Sequence, residues 1–330
     1  MIDESLYSKS FENLSKQGFM PKAGLFIESL FLHMSLRVLY IEESDYLNLY
    51  LDNLKIKKGI DETTVPLSDI NSIIVDNNKT NISLSLINKC MEYKVNIITC
   101  DIYHLPNGII IPYSGNYQSA LQLRKQIEWK EETKNIIWQY IIKKKILNQA
   151  KILELKDKDI KVINHMIKFS NEVKINDKTN REGIVAKIYF RELFGSDFKR
   201  MNDDIINAGL NYGYSILRSQ ISRELVARGL NLHLGLFHNS ITNQFNLADD
   251  IIEVYRPIID SYVYDELKDK LSFLRENRLE LIKITTKKVM IAGKKQTITN
   301  SMNIMINSIL KVIETGDINE LVFPDSIIYE

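Results

Sequence analysis

The chain has 330 residues, 45% of them hydrophobic and 26% charged, with a formal net charge of +1. That length and balance fit a globular protein of about two domains, and with only 13 Gly and 6 Pro they exclude a low-complexity chain. Its two cysteines are too few for a disulfide framework or a cysteine metal cluster.

Residues 1–33 read as an N-terminal extension, and Met34 opens the first strand-like run. Asp3 and Glu4 spoil the basic start of a secretory signal. The apolar stretch at 23–41 is interrupted by Glu28, His33 and Arg37 and is too polar to span a membrane. A cytoplasmic location is expected, with Cys90 and Cys100 as reduced core thiols. Residues 34–112 read as a small β-rich domain. Its runs LRVLYIE, YLNLYLDNLKIKK, SIIVDNN, KVNIITCD and GIIIPY are rich in Ile, Val and Tyr and separated by Asn, Asp and Gly. LSLINKCMEYK, residues 84–94, interrupts them with apolar residues at helical spacing. Residues 113–116 form a linker.

Residues 117–330 carry helical periods of three and four. This half holds 33 Lys+Arg against 28 Asp+Glu, whereas residues 34–112 hold 7 against 10. A mildly basic half permits phosphate binding. Within it, Trp129 and Trp138 read as packing residues. The lysine-rich run KKKILNQAK, residues 143–151, reads as a solvated helix face. The expected fold class is α+β: a small N-terminal β-rich domain followed by a larger all-α C-terminal domain. The tail after Gly316 is expected to order on partner binding.

REGIVAKIYFRELFG, residues 181–195, is a helix with an apolar face and Gly195 as its C-cap. Glu182 at its start either complements the helix dipole, for about 0.3–1 kcal/mol, or ligates a metal. Asn211, Tyr212, Gly213 and Tyr214 mark the start of the next helix, which Gly229 ends. Residues 231–257, NLHLGLFHNSITNQFNLADDIIEVYRP, are the most informative. Gly235 lets the chain turn toward His238. Leu247, Ile251, Ile252 and Val254 then set a helical register in which Asp249 and Asp250 lie one turn before Glu253. These carboxylates crowd one face, and their repulsion costs roughly 0.5 kcal/mol. A bound cation would remove that cost. Imidazole with carboxylates suits magnesium or manganese better than a thiolate-seeking metal. The plain alternative is a solvated acidic face.

REGIVAKIYF, NAGLNYGYSIL, GLNLHLGLFH and FNLADDIIEVYRPIID occur in that order. Together they resemble the CRISPR-associated protein one family, the metal-dependent integrase that inserts spacers into CRISPR arrays. The resemblance spans roughly residues 34–320. It includes the opening strands MSLRVLYIEESDYLNLYLDNLKIKK, VPLSDINSIIVDN and CDIYHLPNGIIIP, and the NLADDIIE form is most similar to type II members.

The resemblance implies that Glu182, His238 and Glu253 are the catalytic metal ligands, with Mg2+ or Mn2+ as cofactor. Asp249 and Asp250 are implied as auxiliary and His233 as structural, while His33, His104 and His165 have no motif support. It implies transesterification, in which the 3′-hydroxyl of captured DNA attacks a phosphodiester at a repeat boundary. The implied partners are double-stranded DNA (protospacer and repeat array), a second copy forming a homodimer through the β-rich domain, CRISPR-associated protein two, and the type II effector complex. Arg181, Lys187, Lys199, Arg200, Arg218 and Arg223 are nearby cationic candidates for phosphate. Two other functions use the same chain: a metal-dependent nuclease of branched DNA, and a non-catalytic DNA-binding scaffold.

Overall fold

Parallel strands β2 (Arg37–Ile41), β6 (Ile70–Val75) and β8 (Asn96–Cys100) form the middle of a five-stranded sheet. Its antiparallel edges are β1 (Ile27–Ser29) and β9 (Pro106–Ile110), in the order β1-β2-β6-β8-β9. The computed structural model describes the backbone of residues 27–29 and all of residues 37–113 and 116–325. β1 belongs to the segment read as an extension, and the expectations for residues 1–26 and 30–36, Met34 among them, lie outside the described residues.

Side chains alternate across a strand, so this sheet serves two cores. Val38, Tyr40, Ile74, Ile98 and Cys100 face the helices. Leu39, Ile41, Ile73, Val75 and Ile97 face a second sheet and α1 (Leu84–Glu92). With both faces covered, all six residues of β6 are buried, which is why INSIIV shows no alternation. The second sheet runs β5-β4-β3-β7. In it β3 (Tyr46–Tyr50) and β4 (Asn53–Lys58) form a hairpin turned by Leu51 and Asp52, both at positive φ. β5 (Asp61–Pro66) and β7 (Asn81–Ile82) carry little apolar signal and were not expected.

The helices are α2 (Ser119–Ile127), α3 (Glu131–Leu155), α4 (Ile160–Asn171), α5 (Arg181–Phe194), α6 (Ile205–Ala227), α7 (Asn246–Ile252), α8 (Arg256–Glu266), α9 (Arg275–Ile284) and α10 (Ile298–Thr315). The α+β class holds, but the C-terminal part is mostly helical rather than all helical. β10 (Lys288–Ile291) and β11 (Lys294–Thr297) form a hairpin there. Ala292 and Gly293 turn it with positive φ, and Val289 and Ile291 alternate into the core. Four-residue strands are too short for their period to stand out from the helices around them. Of the tail, residues up to Asp325 are described: Asp325 N donates to Met290 O at 2.8 Å and Phe323 packs on the main core. Among the described residues no helix is long and apolar enough to cross a membrane.

α6 starts at Ile205, where the Asp204 side chain accepts from Asn207 N, so Asn211 to Tyr214 lie inside the helix and not at its start. Gly209 and Gly213 are there for packing. A Cβ on Gly213 would lie 2.4 Å from Ile259 Cγ2, and one on Gly209 2.4 Å from Leu267 Cδ1. Gly213→Ala is therefore expected to lower stability by about 1–3 kcal/mol through overpacking, against a helix-propensity gain of about 1 kcal/mol. Urea unfolding measures the sum, and a net gain would show that α8 yields freely.

The seam between the two parts is polar as well as apolar. Gln220 Nε2 donates to Ser72 Oγ at 3.0 Å and Asn96 Nδ2 to Ser219 O at 3.1 Å. Arg278 on α9 pairs with the buried Asp76 at 3.2 Å.

Candidate metal centre

Glu182 enters the site from the first turn of α5. The turn before it is tight: Asn176, Asp177 and Asn180 adopt φ of 60°, 40° and 48°, values that Asn and Asp tolerate better than most residues. Asp177 then caps the helix with both oxygens, accepting from Arg181 N at 2.8 Å and Glu182 N at 2.9 Å. These bonds satisfy two of the helix's unpaired amides and fix where Glu182 leaves the backbone.

Asp249, Asp250 and Glu253 do not share a solvated face. They are only 7%, 0% and 3% exposed, and each meets its own partners. Asp249 accepts from Arg218 Nε and Asn243 Nδ2, both at 2.8 Å. Asp250 accepts from the backbone amides of Leu236, Phe237 and His238 at 2.6, 3.0 and 3.1 Å, and lies 2.6 Å from His238 Nδ1. Glu253 meets Lys145 Nζ at 2.5 Å and Arg256 Nη2 at 3.3 Å.

His238 is thereby held in one orientation. With Nδ1–H donated to Asp250, Nε2 keeps its lone pair, the arrangement by which a carboxylate prepares histidine as a metal ligand. The Trp138 ring meets the imidazole edge-on at 5.5 Å, and Phe237 stacks on Trp138 at 4.5 Å. Gly235 lies so close to the turn that a Cβ there would stand 2.3 Å from His238 O. The hydrogen bond that His238 donates to Asp250 holds the His238 pKa above its ordinary value, against the opposing effect of burial. His233, 3.0 Å from Asn231 Oδ1, lines an open cleft beside His238 together with Gln126, Lys134 and Asn239.

Lys145 on α3 is the residue that sequence reasoning missed. Its Nζ lies 2.5 Å from Glu182 Oε1 and 2.5 Å from Glu253 Oε2. The run 143–151 is thus not a solvated face, since Lys145, Asn148, Gln149 and Ala150 are buried. A signal was present. Trp138, Ile141, Lys145, Gln149 and Ile152 follow steps of three and four, so Lys145 continues the stripe begun by two apolar residues.

Burial alone would push Glu253 up, but Arg256 and Lys145 outweigh it and hold its carboxyl below the ordinary range. Burial likewise opposes the charged form of Lys145, and Glu253 and Glu182 reverse it. Beneath them Asp260 accepts from the Tyr214 hydroxyl, and burial raises its pKa to about 6.

Among the described residues no three His, Cys, Asp or Glu side chains form a ready-made metal cluster. Glu182 and Glu253 are nevertheless brought together on one ammonium, and His238 is near enough to Glu253 for their charges to interact. Glu253 Oε2 is buried and accepts no well-directed hydrogen bond. Two carboxylates around a stand-in cation, with a free imidazole nitrogen beside them, fit a divalent metal. Among the cationic candidates, Arg181 pairs with Glu172 at 2.7 Å and Arg218 with Asp249. Arg200 donates to Asn207 at 2.9 Å and Asn211 at 2.7 Å, and Arg223 donates to Lys94 O at 2.7 Å. Those four brace the fold, while Lys187 and Lys199 are exposed.

The family model described as CRISPR associated protein Cas1 matches residues 39–292. CRISPR-associated endonuclease Cas1 of Neisseria meningitidis serogroup C is 32% identical over 295 residues, covering 88% of this chain and 97% of that protein. Two solved structures share the fold. A casposase bound to integration product aligns with a TM-score of 0.69 at 20% identity, over 86% of this chain and 92% of that one. A Cas6-RT-Cas1–Cas2 complex aligns with a TM-score of 0.72 at 16% identity, over 90% of this chain and 37% of that one. With the family model matched over most of its length, the chain belongs to the CRISPR-associated Cas1 family.

Proposed function

We propose that this chain is a metal-dependent DNA integrase of CRISPR adaptation, joining the 3′-hydroxyl ends of captured DNA to repeat boundaries by transesterification. The observation that carries this reading is the convergence of Glu182 and Glu253 on a single cation beside His238, whose free nitrogen Asp250 orients. The likeness to a casposase bound to integration product supports joining over simple cutting. A magnesium or manganese ion at this site would supply positive charge at phosphorus and lower the pKa of the attacking hydroxyl. The chain's own part is to furnish two carboxylates and a neutral imidazole, to hold that imidazole through Asp250, and to wall it with Trp138 and Phe237. The name endonuclease carried by the Neisseria relative favours hydrolysis of branched DNA as a second reading, with water in place of the hydroxyl.

Residues 117–325 would hold the chemistry, and residues 34–112 would form the homodimer. Tyr46, Tyr50, Leu51 and Ile60 offer exposed apolar surface there. Cas2 is proposed as a partner on the likeness to a Cas1–Cas2 complex. A type II effector complex is proposed on the sequence resemblance alone.

The test is strand transfer with the Cas2 partner, a short duplex, a supercoiled repeat-bearing plasmid and manganese. Covalent joining that needs the 3′-hydroxyl supports the integrase. Nicking without joining supports the nuclease, and DNA binding indifferent to chelator, without reaction, supports a scaffold.

The pH dependence has a definite sign. An imidazolium cannot ligate, so joining should rise with pH through a midpoint above about 6.5, the ordinary histidine value. The stability of the metal-free protein should move the other way. The Asp250–His238 interaction stabilises fully below about 6.5 and is lost as pH rises through the higher folded-state pKa. A pH–rate profile and urea unfolding at matched pH measure the two, and parallel trends would count against His238 as a ligand.

A further inference from the structure

Metal binding at this site has to contend with a cation already there. Lys145 touches both Glu182 and Glu253, and Arg256 touches Glu253 as well. The two proposed ligands therefore already face two positive groups, with Asp260 close enough to both cations to interact with them. The Lys145 side chain is only 6% exposed, so this neutralisation takes place largely out of water, where an unbalanced charge is costly. A divalent ion entering while Lys145 stays would bring two cations onto the same two carboxylates and raise the positive charge of the pocket by two. A DNA phosphate arriving with the ion would restore the balance. Lysine suits such an exchange, because its ammonium is a compact point charge on a flexible four-carbon stem. Arg256 is less suited, being fixed to Glu253 from one helical turn away and stacked 4.9 Å from the Tyr214 ring.

We propose that Lys145 is an internal counter-cation that occupies Glu182 and Glu253 in the DNA-free protein and moves its ammonium to a DNA phosphate when metal and DNA bind together. This rests on the metal-site reading above. It makes metal and DNA binding cooperative. The free protein binds metal weakly, because only the fraction of molecules with Lys145 displaced is competent. By linkage, DNA must raise metal affinity by the same factor that metal raises DNA affinity. An unloaded enzyme with little resident metal would also be kept from cutting at random.

The experiment is calorimetric titration of the full chain with Mn2+ alone, with and without a short DNA duplex. The proteins compared are the parent, Lys145→Met, Lys145→Gln and Glu253→Gln. In the parent, the duplex is expected to tighten Mn2+ binding by about tenfold or more, the usual scale of such couplings. Lys145→Met is expected to bind Mn2+ about tenfold tighter than the parent without DNA and to lose most of the coupling. Its melting temperature should rise with Mn2+ more than the parent's, because the metal then replaces the missing ammonium. If Lys145→Met does not fold without metal, Lys145→Gln carries the comparison, since its amide can still donate to the glutamates. Unchanged or weaker Mn2+ affinity in the folded Lys145 variants, with binding still abolished in Glu253→Gln, overturns the counter-cation and leaves the metal site standing. Mn2+ affinity indifferent to Glu253→Gln overturns the metal-site reading itself.

Discussion

Glu253→Gln is expected to abolish DNA joining and to destabilise the protein at the same time. The chemical loss follows from removing one of the two carboxylates that meet at the shared cation. It should exceed the roughly 10–100-fold typical of a residue that merely supports a metal ligand. The stability loss follows from burial. Glu253 is the counter-ion of both Lys145 and Arg256. Removing one partner of a buried ion pair costs about 3–5 kcal/mol, because the other charge is stranded. An inactive variant at Glu253 is therefore not expected to spare the fold. Glu182 is different. Its side chain is 32% exposed, and Lys145 keeps Glu253 when it is gone. Glu182→Gln should match the activity loss at a much smaller cost in stability. Urea unfolding beside the strand-transfer assay separates the two. Equal stability of parent and Glu253→Gln would mean that these buried ion pairs contribute little. Retained joining would remove Glu253 from the ligand set.

The second large effect is expected at Asp250, whose proposed part is to hold His238 in place. Asp250→Ala would strand three backbone amides and the imidazole. At about 1 kcal/mol or more for each buried donor left unpaired, partly offset by water entering the loop, the cost is about 3 kcal/mol. Joining should fall about 10–100-fold even with His238 intact. Asp250→Asn is the sharper variant. Its amide can donate to Nδ1, which moves the imidazole proton to Nε2 and blocks that nitrogen as a ligand. Nitrogen-15 NMR of the ring reads the tautomer directly. Parent-like joining in a protein shown to carry the Nε2–H tautomer would end the orienting role of Asp250.

Much of this was legible in the chain. The strands at Arg37–Ile41 and Asn96–Cys100 carry runs of β-branched and apolar residues and Asn53–Lys58 alternates Leu and Ile with polar residues, and their sequence neighbourhood was read correctly. Arg181–Phe194 showed its apolar face and its terminal glycine. β5 was missed because DETTVP buries only one residue fully, so its place comes from pairing with β4 and not from its own pattern. The acidic turn was read as crowded because helical spacing alone says nothing about what approaches from outside. Arg218 and Lys145 come from other helices and the loop at residues 236–238 from about a dozen residues upstream, and each takes a different carboxylate. Lys145 was misread because a lysine among lysines looks solvated until its register is followed back to Trp138.

The five-stranded sheet has an evolutionary consequence. β2, β6 and β8 have no water-facing side, since alternate residues belong to different cores. A substitution on these strands that suits one neighbour is judged by the other, so few positions are free to drift. Exchanging either half of the chain with a distant homologue would bring a foreign face against Tyr40, Ile74 and Ile98, and would break the Gln220–Ser72 and Arg278–Asp76 contacts. The change of composition near residue 113 thus marks a change of architecture across a shared core. Recombination should be tolerated less well there than in the exposed loops, and the two halves should diversify together.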